Sequence, residues 1–147
     1  MAIPKQARRR RAVAEQTTED RLAAHRRTAE AVMQQTILPA LATARDELQR
    51  PEQHAYVTVT SLSATSAQLT IARTPPAAHE SADLAIPLRY ILAVAFDPQA
   101  ITVKRIVNDK KGSFLGQTYV TSLRTQAIVD DVRRVWRRIE KNEAARN

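Results

Sequence analysis

The spacing of hydrophobic residues changes twice along the chain. Between residues 17 and 50 the apolar side chains recur every three, four or seven positions, which is the period of one helix face. From residue 54 to residue 120 apolar and polar residues mostly alternate, as they do in strands. The helical period returns after residue 121. The pattern therefore predicts a long helix, an antiparallel sheet and a second helix, in that order.

The first predicted helix spans residues 17–50. It opens with Thr17-Thr18-Glu19-Asp20, a hydroxyl cap followed by carboxylates near the positive end of the helix dipole. Pro39 lies inside it and predicts a kink, because proline lacks an N–H and clashes with the preceding turn. The apolar stripe of this helix has two interpretations: it packs on the chain's own sheet, or it forms an association face with another protein or a second copy. The association face consists of Leu22, Met33, Ile37, Leu41 and Leu48.

Residues 54–147 are predicted to form an antiparallel β-core with a C-terminal helix. Short β-branched or alternating runs separated by polar turns indicate five or six strands, which either close into a barrel or remain an open sheet. A final amphipathic helix, capped by Thr121 or Ser122, is expected to pack on them. The fold class is therefore α+β. The predicted strand runs are 56–60, 68–72, 85–88, 90–96, 101–107 and 114–120.

Positive charge is concentrated at the two ends of the chain. The 147 residues carry 23 Lys and Arg and a net charge of +8, which favours an acidic partner such as nucleic acid. Residues 1–16 contain few large apolar side chains, so we expect a flexible basic tail. The arginines of the final helix oppose its apolar stripe and are either a contact surface for a polyanion or an ordinary solvent face. The candidate polyanion-binding residues are Arg8, Arg9, Arg10, Arg11, Arg133, Arg134, Arg137, Arg138 and Lys141.

The composition argues against several kinds of chemistry. The chain has no cysteine, which excludes disulfides, thiolate nucleophiles and Cys-ligated metals. Its two glycines are too few for a phosphate-binding loop or a dinucleotide fingerprint. His25, His54 and His79 are scattered, so we expect no metal. The shortage of glycine leads us to expect no cofactor, and because no pair of residues suggests a catalytic centre we expect no enzymatic activity. No apolar run is long enough for a transmembrane segment, and we expect a cytoplasmic protein.

The second half of the chain has a characteristic hydrophobic spacing. It is carried by Ile86–Ile91, Val94, Ile101–Val103 and Phe114–Val120, followed by a helix at 122–143. This pattern resembles the C-terminal half of pleckstrin-homology-like (PH-like) and GRAM-like barrels. The resemblance covers residues 85–143 and implies a barrel plugged by the final helix, with Trp136 and Ile139 in the plug. Members of these families bind phosphoinositides, peptides or other proteins. The element order also resembles, more weakly, small nucleoid-associated proteins of helix–sheet–helix form.

Two functional hypotheses follow. The first is a non-enzymatic binding or adaptor module that associates with a protein partner or with itself as a homodimer. The alternative is a nucleic-acid-binding protein without sequence preference, which would use the basic tail and the arginines of the final helix.

Overall fold

The structure, a computed structural model, describes residues 5–75, 86–109 and 112–146, and for residues 5–16, Phe114 and Arg146 this description is limited to the backbone. A long helix comes first, interrupted by a π-helical turn, and five strands and a final helix follow. The helices are α1 (Lys5–Val32), α2 (Leu38–Leu48) and α3 (Thr125–Arg146). The strands are β1 (Tyr56–Ser63), β2 (Ser66–Ala72), β3 (Leu88–Phe96), β4 (Ile101–Asp109) and β5 (Gly112–Tyr119).

The five strands form one antiparallel sheet in the order β1-β2-β3-β4-β5. Each strand pairs with the next one along the chain, which is the arrangement of a simple antiparallel meander. The sheet is open, and β1 and β5 are its two edges. The α+β prediction is thereby confirmed, with an open sheet in place of a closed barrel. The predicted run 85–88 does not form a separate strand, since β3 begins at Leu88 and Ala85 lies outside the described residues.

The N-terminal helix begins earlier than the sequence pattern predicts. It starts at Lys5, whereas the capping signal placed its start at Thr17 and left residues 1–16 as a flexible tail. Alanine, arginine, glutamine and glutamate dominate residues 5–16, and all four have high helix propensity. Propensity therefore extends the helix through a segment that lacks an apolar face, and the basic residues Arg8–Arg11 lie on α1.

The irregularity expected at Pro39 takes the form of a π-helical turn over Met33–Ile37. Pro39 is the second residue of α2, where a missing backbone N–H is tolerated. The turn ends at Leu38, whose backbone N–H bonds to the Met33 carbonyl. Wider turns of this kind are a recognised site of helix bending. Both of its apolar residues, Met33 and Ile37, are buried.

The three helices lie against one face of the sheet, here called the inner face. Alternate strand residues point towards the helices, as the two-residue period requires. Helix α2 contacts β1, β2 and α3, while α1 and α3 both contact β3. The core is built from Val, Ile, Leu and Ala with Met33, Tyr90 and Trp136. The inner-face residues of the strands include Val57, Leu69, Ile71, Leu88, Tyr90, Leu92, Val94, Val103 and Val107.

This packing decides between the two interpretations of the N-terminal stripe. Met33, Ile37 and Leu41 are each at most 1% exposed and belong to the core of a single chain. Leu48 is partly buried against the same core. Leu22, which precedes these residues on α1, is half-buried. The stripe therefore packs on the chain's own sheet, beside the buried residues of α3. The predicted association face is therefore corrected, since its central residues have no surface left for a partner.

The final helix differs from its prediction in a similar way. Trp136 and Ile139 are buried, as a plug would require, but α3 lies across the sheet and does not close a barrel end. It begins at Thr125, after a 3-10 turn over Val120–Ser122, so the predicted caps Thr121 and Ser122 belong to that turn.

Candidate binding surfaces

The outer face of the sheet carries an apolar row. Ile91, Ile106 and Leu115 are neighbours on three adjacent strands, because Ile91 pairs with Ile106 and Ile106 pairs with Leu115. Ile91 and Ile106 are half-buried, and the helices lie against the opposite face. Antiparallel sheets with one solvated face usually alternate apolar-in and polar-out. This row departs from that pattern.

The row ends on the edge strand β5. Leu115 is 72% exposed and Tyr119 is 68% exposed, which makes them the two most exposed large apolar residues of the described chain. No other described strand pairs with the free side of β5. Soluble proteins usually protect such an edge with charges, prolines or a short strand. The sequence of β5, GSFLGQTY, contains neither a charge nor a proline.

A basic groove lies on the other face, between β5 and α3. Arg105 points to the inner face of β4, because it alternates with the buried residues Val103 and Val107. Its cross-strand partner on β5 is Gly116, which has no side chain to cover it. The groove has a volume of about 450 Å³. Its lining includes Arg105, Gly116, Thr118, Asp131, Arg134 and Arg138.

Asp131 is the centre of the hydrogen bonds in this groove. Its Oδ2 accepts bonds from the Tyr90 hydroxyl and from Arg105 Nε, both at 2.5 Å. Its Oδ1 accepts bonds from Arg134 Nη2 at 2.7 Å and from Arg105 Nη2 at 3.2 Å. Arg105 also lies 5.6 Å from the centre of the Tyr90 ring. One carboxylate thus fixes two arginines and the only buried tyrosine hydroxyl of the described residues.

The surroundings of these groups change their pKa values. Burial disfavours the charged form of Asp131, but hydrogen bonds from Tyr90, Arg134 and Arg105 outweigh it and lower the pKa of Asp131. Burial, with the bond to Asp131 and its negative charge, raises the pKa of Tyr90 well above its ordinary value. Tyr90 therefore stays protonated and Asp131 stays ionised at neutral pH.

The predicted arginine arc of α3 is divided between two environments. Arg133 forms ion pairs with Glu47 and, at 3.2 Å, with Asp130, so its charge is largely compensated. Arg137 lines a second cavity of about 370 Å³ beside Glu47 and Glu140. Arg134 and Arg138 line the β5–α3 groove instead. This division places the net positive charge of α3 on the groove side.

The remaining predicted site residues fall in less informative places. Lys141 is exposed on α3. Arg8–Arg11 belong to α1, but their side chains are not among those described. Lys110, Lys111 and His79 lie outside the described residues. In the described part of the chain, no group of three or more His, Cys, Asp or Glu could hold a metal ion. Among the helices described, none is both long and apolar enough to cross a membrane.

Helix α1 is attached to the sheet at the C-terminal end of β3, through His25 and Arg26. His25 Nδ1 lies 2.6 Å from the Asp97 carbonyl oxygen, and Arg26 lies 5.9 Å from the centre of the Phe96 ring. The Asp97 carboxylate accepts the backbone N–H groups of Gln99 and Ala100, which fixes the β3–β4 turn. Residues 17–21, the first of α1 whose side chains are described, are exposed.

Sequence reasoning missed the groove and its central carboxylate. Arg105 follows Lys104 directly in the sequence, but the two residues point to opposite faces of the sheet. The alternation Val103-Lys104-Arg105-Ile106-Val107 contained a signal, because Arg105 occupies an inward position between two valines. Asp131 offered no such signal, since it reads as one of many carboxylates on an amphipathic helix.

Comparison with known proteins adds no relative. No protein-family model, no curated protein and no solved structure matches the chain. The PH-like resemblance of residues 85–143 stays a prediction.

Proposed function

We propose that this protein is a non-enzymatic binding module that associates with a second copy of itself through the edge strand β5. The observation that supports it is the exposure of Leu115 and Tyr119 on a strand whose hydrogen-bonding edge is free among the described residues. Exposed apolar residues on an unpaired edge mark a site for strand addition. The sheet would continue across the dimer as ten strands, within the usual size of open sheets.

Charge favours a second copy at this strand. Two chains of net charge +8 repel each other over most of their surfaces. The eight residues of β5 carry no charge, so two copies pair there without like charges in contact. The other edge, β1, is also uncharged, but its pairing is irregular between Ser61 and Ser63. Such irregularities twist an edge away from further pairing.

The exposed residues also define a register. Leu115, Gln117 and Tyr119 alternate on the outer face of β5. In an antiparallel pair with its two-fold axis beside Gln117, each Leu115 lies opposite Tyr119 of the second copy. Aliphatic–aromatic cross-strand pairs stabilise sheets by roughly 0.2–1 kcal/mol each. Gln117 then lies opposite Gln117 of the second copy.

The absence of native cysteine makes this register testable by cross-linking. We expect Gln117→Cys to form an intermolecular disulfide under mild oxidation. Ser113→Cys is the matched control, because it is exposed on the same face of the same strand. In the proposed register its two copies are about 27 Å apart, from eight residues at about 3.4 Å each. A Ser113 cross-link without a Gln117 cross-link would contradict the register.

Association itself is tested by light scattering coupled to size-exclusion chromatography. Leu115→Lys combined with Tyr119→Lys should convert the dimer to a monomer, since it adds two charges per copy at the pairing edge. Leu62→Lys is the control, because Leu62 is 51% exposed on the other edge strand. A wild-type monomer at tens of micromolar, or a dimer that survives both β5 lysines, would refute the proposal.

Nucleic-acid binding is a second candidate function, favoured by the position of the α3 arginines. Arg134 is 78% exposed, and Arg138 and Lys141 are exposed on the same helix. We expect the full chain to bind a labelled duplex of arbitrary sequence with an affinity that falls steeply between 50 and 200 mM salt, as counterion release requires. Replacing Arg8–Arg11 by glutamine should lower the affinity and the salt dependence in a fluorescence anisotropy titration.

A further inference from the structure

We infer that the groove between β5 and α3 is a phosphate-binding site for the backbone of a nucleic acid. Arg134 and Arg138 would contact the phosphates, and Arg105 would supply a fixed positive charge at the floor. The inference rests on nucleic-acid binding, the second candidate function. It does not depend on β5 pairing, because Leu115 and Tyr119 point to the opposite face of the sheet.

The charges of the groove lining support an anionic ligand. Three arginines line the groove with a single carboxylate, Asp131, which leaves two net positive charges. Both oxygens of that carboxylate are already engaged, by Tyr90, Arg105 and Arg134. Within the described residues Arg138 has no ion pair, and the positions three and four residues away on α3 hold no carboxylate. An incoming phosphate would therefore find unsatisfied guanidinium donors.

The groove is also held in a fixed shape before any ligand enters. Asp131 binds Arg105 through two nitrogen atoms and holds Arg134 at its edge. Arg105 has a side-chain exposure of 30%, so its donors still reach the groove. Preorganised guanidinium groups lose less conformational entropy when they bind, and their planar fork suits phosphate oxygens.

Gly116 keeps the floor of the groove open. A Cβ atom at this position would lie 3.8–3.9 Å from atoms of the Arg105 side chain. An alanine would therefore fit in ordinary contact, whereas a longer side chain would occupy the space above Arg105. Thr118 points to the same face two residues later and is a half-buried part of the groove lining. Its hydroxyl adds a donor of the kind that often contacts nucleic-acid backbones.

The arrangement along α3 favours a polymer over a free phosphate ion. Arg134, Arg138 and Lys141 lie at intervals of four and three residues and form one stripe. At 1.5 Å per residue this stripe is about 10 Å long, more than one phosphate group occupies. A repeating polyanion can contact every cation of such a row, whereas a single phosphate ion can contact the cations at only one end of it.

The test compares two double variants of the full chain with equal changes in charge. Arg134→Gln with Arg138→Gln removes the groove contacts, and Arg133→Gln with Arg137→Gln removes two arginines from the other side of α3. We expect the groove pair to weaken binding of a fluorescein-labelled 20-base-pair duplex at least about tenfold at 100 mM salt. It should also reduce the slope of log K against log salt by about 1.8, which corresponds to two lost phosphate contacts. Thermal melting of both variants verifies that the fold is retained.

The control pair should change the affinity less than about threefold, because it affects the overall charge and no phosphate contact. Equal losses of affinity in the two double variants would overturn the phosphate-binding groove, because the overall positive charge of the protein would then account for duplex binding. An unchanged affinity in the groove pair would overturn it as well. Inorganic phosphate, compared with chloride at equal ionic strength, should not displace the duplex. Tight phosphate binding that depends on Arg134 and Arg138 without duplex binding would assign the site to a free anion instead. These readouts are separate from the oligomeric state, so the dimer and the groove succeed or fail independently.

Discussion

Replacing Asp131 by asparagine should destabilise the fold more than any other single charge change on α3. The substitution keeps the shape of the side chain and removes its negative charge. Arg105 then loses its ion pair, and its two bonds to Asp131 at 2.5 and 3.2 Å become bonds to a neutral amide at best. Tyr90, which is 1% exposed, loses a charged acceptor for its hydroxyl.

The magnitude follows from the exposure of each partner. A hydrogen bond to a charged group contributes about 1.5–3 kcal/mol to stability, and a buried hydroxyl without its partner costs about 1–3 kcal/mol. The bond to Arg134 adds at most about 0.5 kcal/mol, because that side chain is 78% exposed. Arg105 stays partly hydrated, so the full cost of breaking a buried pair does not apply. We therefore expect a loss of about 2–4 kcal/mol, or roughly 5–15 °C in Tm for a chain of this size.

Urea denaturation followed by circular dichroism measures this loss, and Asp130→Asn is the matched control. Asp130 is adjacent on α3 but 56% exposed, and among the described residues it accepts bonds from Gln126 and Arg133 alone. Its substitution should cost less than about 1 kcal/mol. Comparing Tyr90→Phe, Asp131→Asn and the double variant should give a coupling of at least about 1 kcal/mol between the two residues. Equal losses in the two asparagine variants, or an Asp131 variant within about 0.5 kcal/mol of the wild type, would refute the central role of this carboxylate.

Three further predictions follow from the packing, the charges and the turns. Leu41→Ala should cost about 2–5 kcal/mol in the free energy of unfolding because it leaves a core cavity, whereas Leu22→Ala, at a half-buried site, should cost about 1 kcal/mol or less. The pKa of Asp131 is lower in the folded state than in the unfolded chain, where it is about 4. Its contribution to stability is therefore complete above about pH 4 and is lost as the pH falls further. Asp131→Asn should accordingly reduce the drop in Tm that acid causes. Gly112 has a φ of +138°, so Gly112→Ala should destabilise the protein by about 1 kcal/mol or more, whereas Gly116→Ala should be close to neutral in the same melting assay.

Each of these has an outcome that contradicts it. A Leu41 variant as stable as the wild type would mean that α2 does not pack on the sheet as described. An acid unfolding profile that is identical with and without the Asp131 carboxylate would remove this residue from the pH dependence. Equal effects of alanine at Gly112 and Gly116 would contradict the positive φ assigned to Gly112.

The elements of the fold could be predicted from the sequence because each depends on local periodicity. The alternation in residues 56–60 and 101–107 needs no tertiary contact to indicate strands, and both runs lie within observed strands. The stripe that contains Met33 and Leu41 indicates a buried helix face in the same way. Local patterns do not reveal what a face packs against, and so the same stripe was equally consistent with a dimer.

The candidate sites were decided by the tertiary structure, because they combine residues that are distant along the chain. Arg105 and Asp131 are separated by 26 positions, and their ion pair exists only because α3 crosses the inner face of the sheet next to β4. The same crossing directs Arg133 towards Glu47 and leaves Arg138 over the groove. Sequence periodicity determined that these arginines share the polar side of one helix. Only the packing of that helix against α2 and β3 decided which of their charges are compensated and which remain available to a ligand.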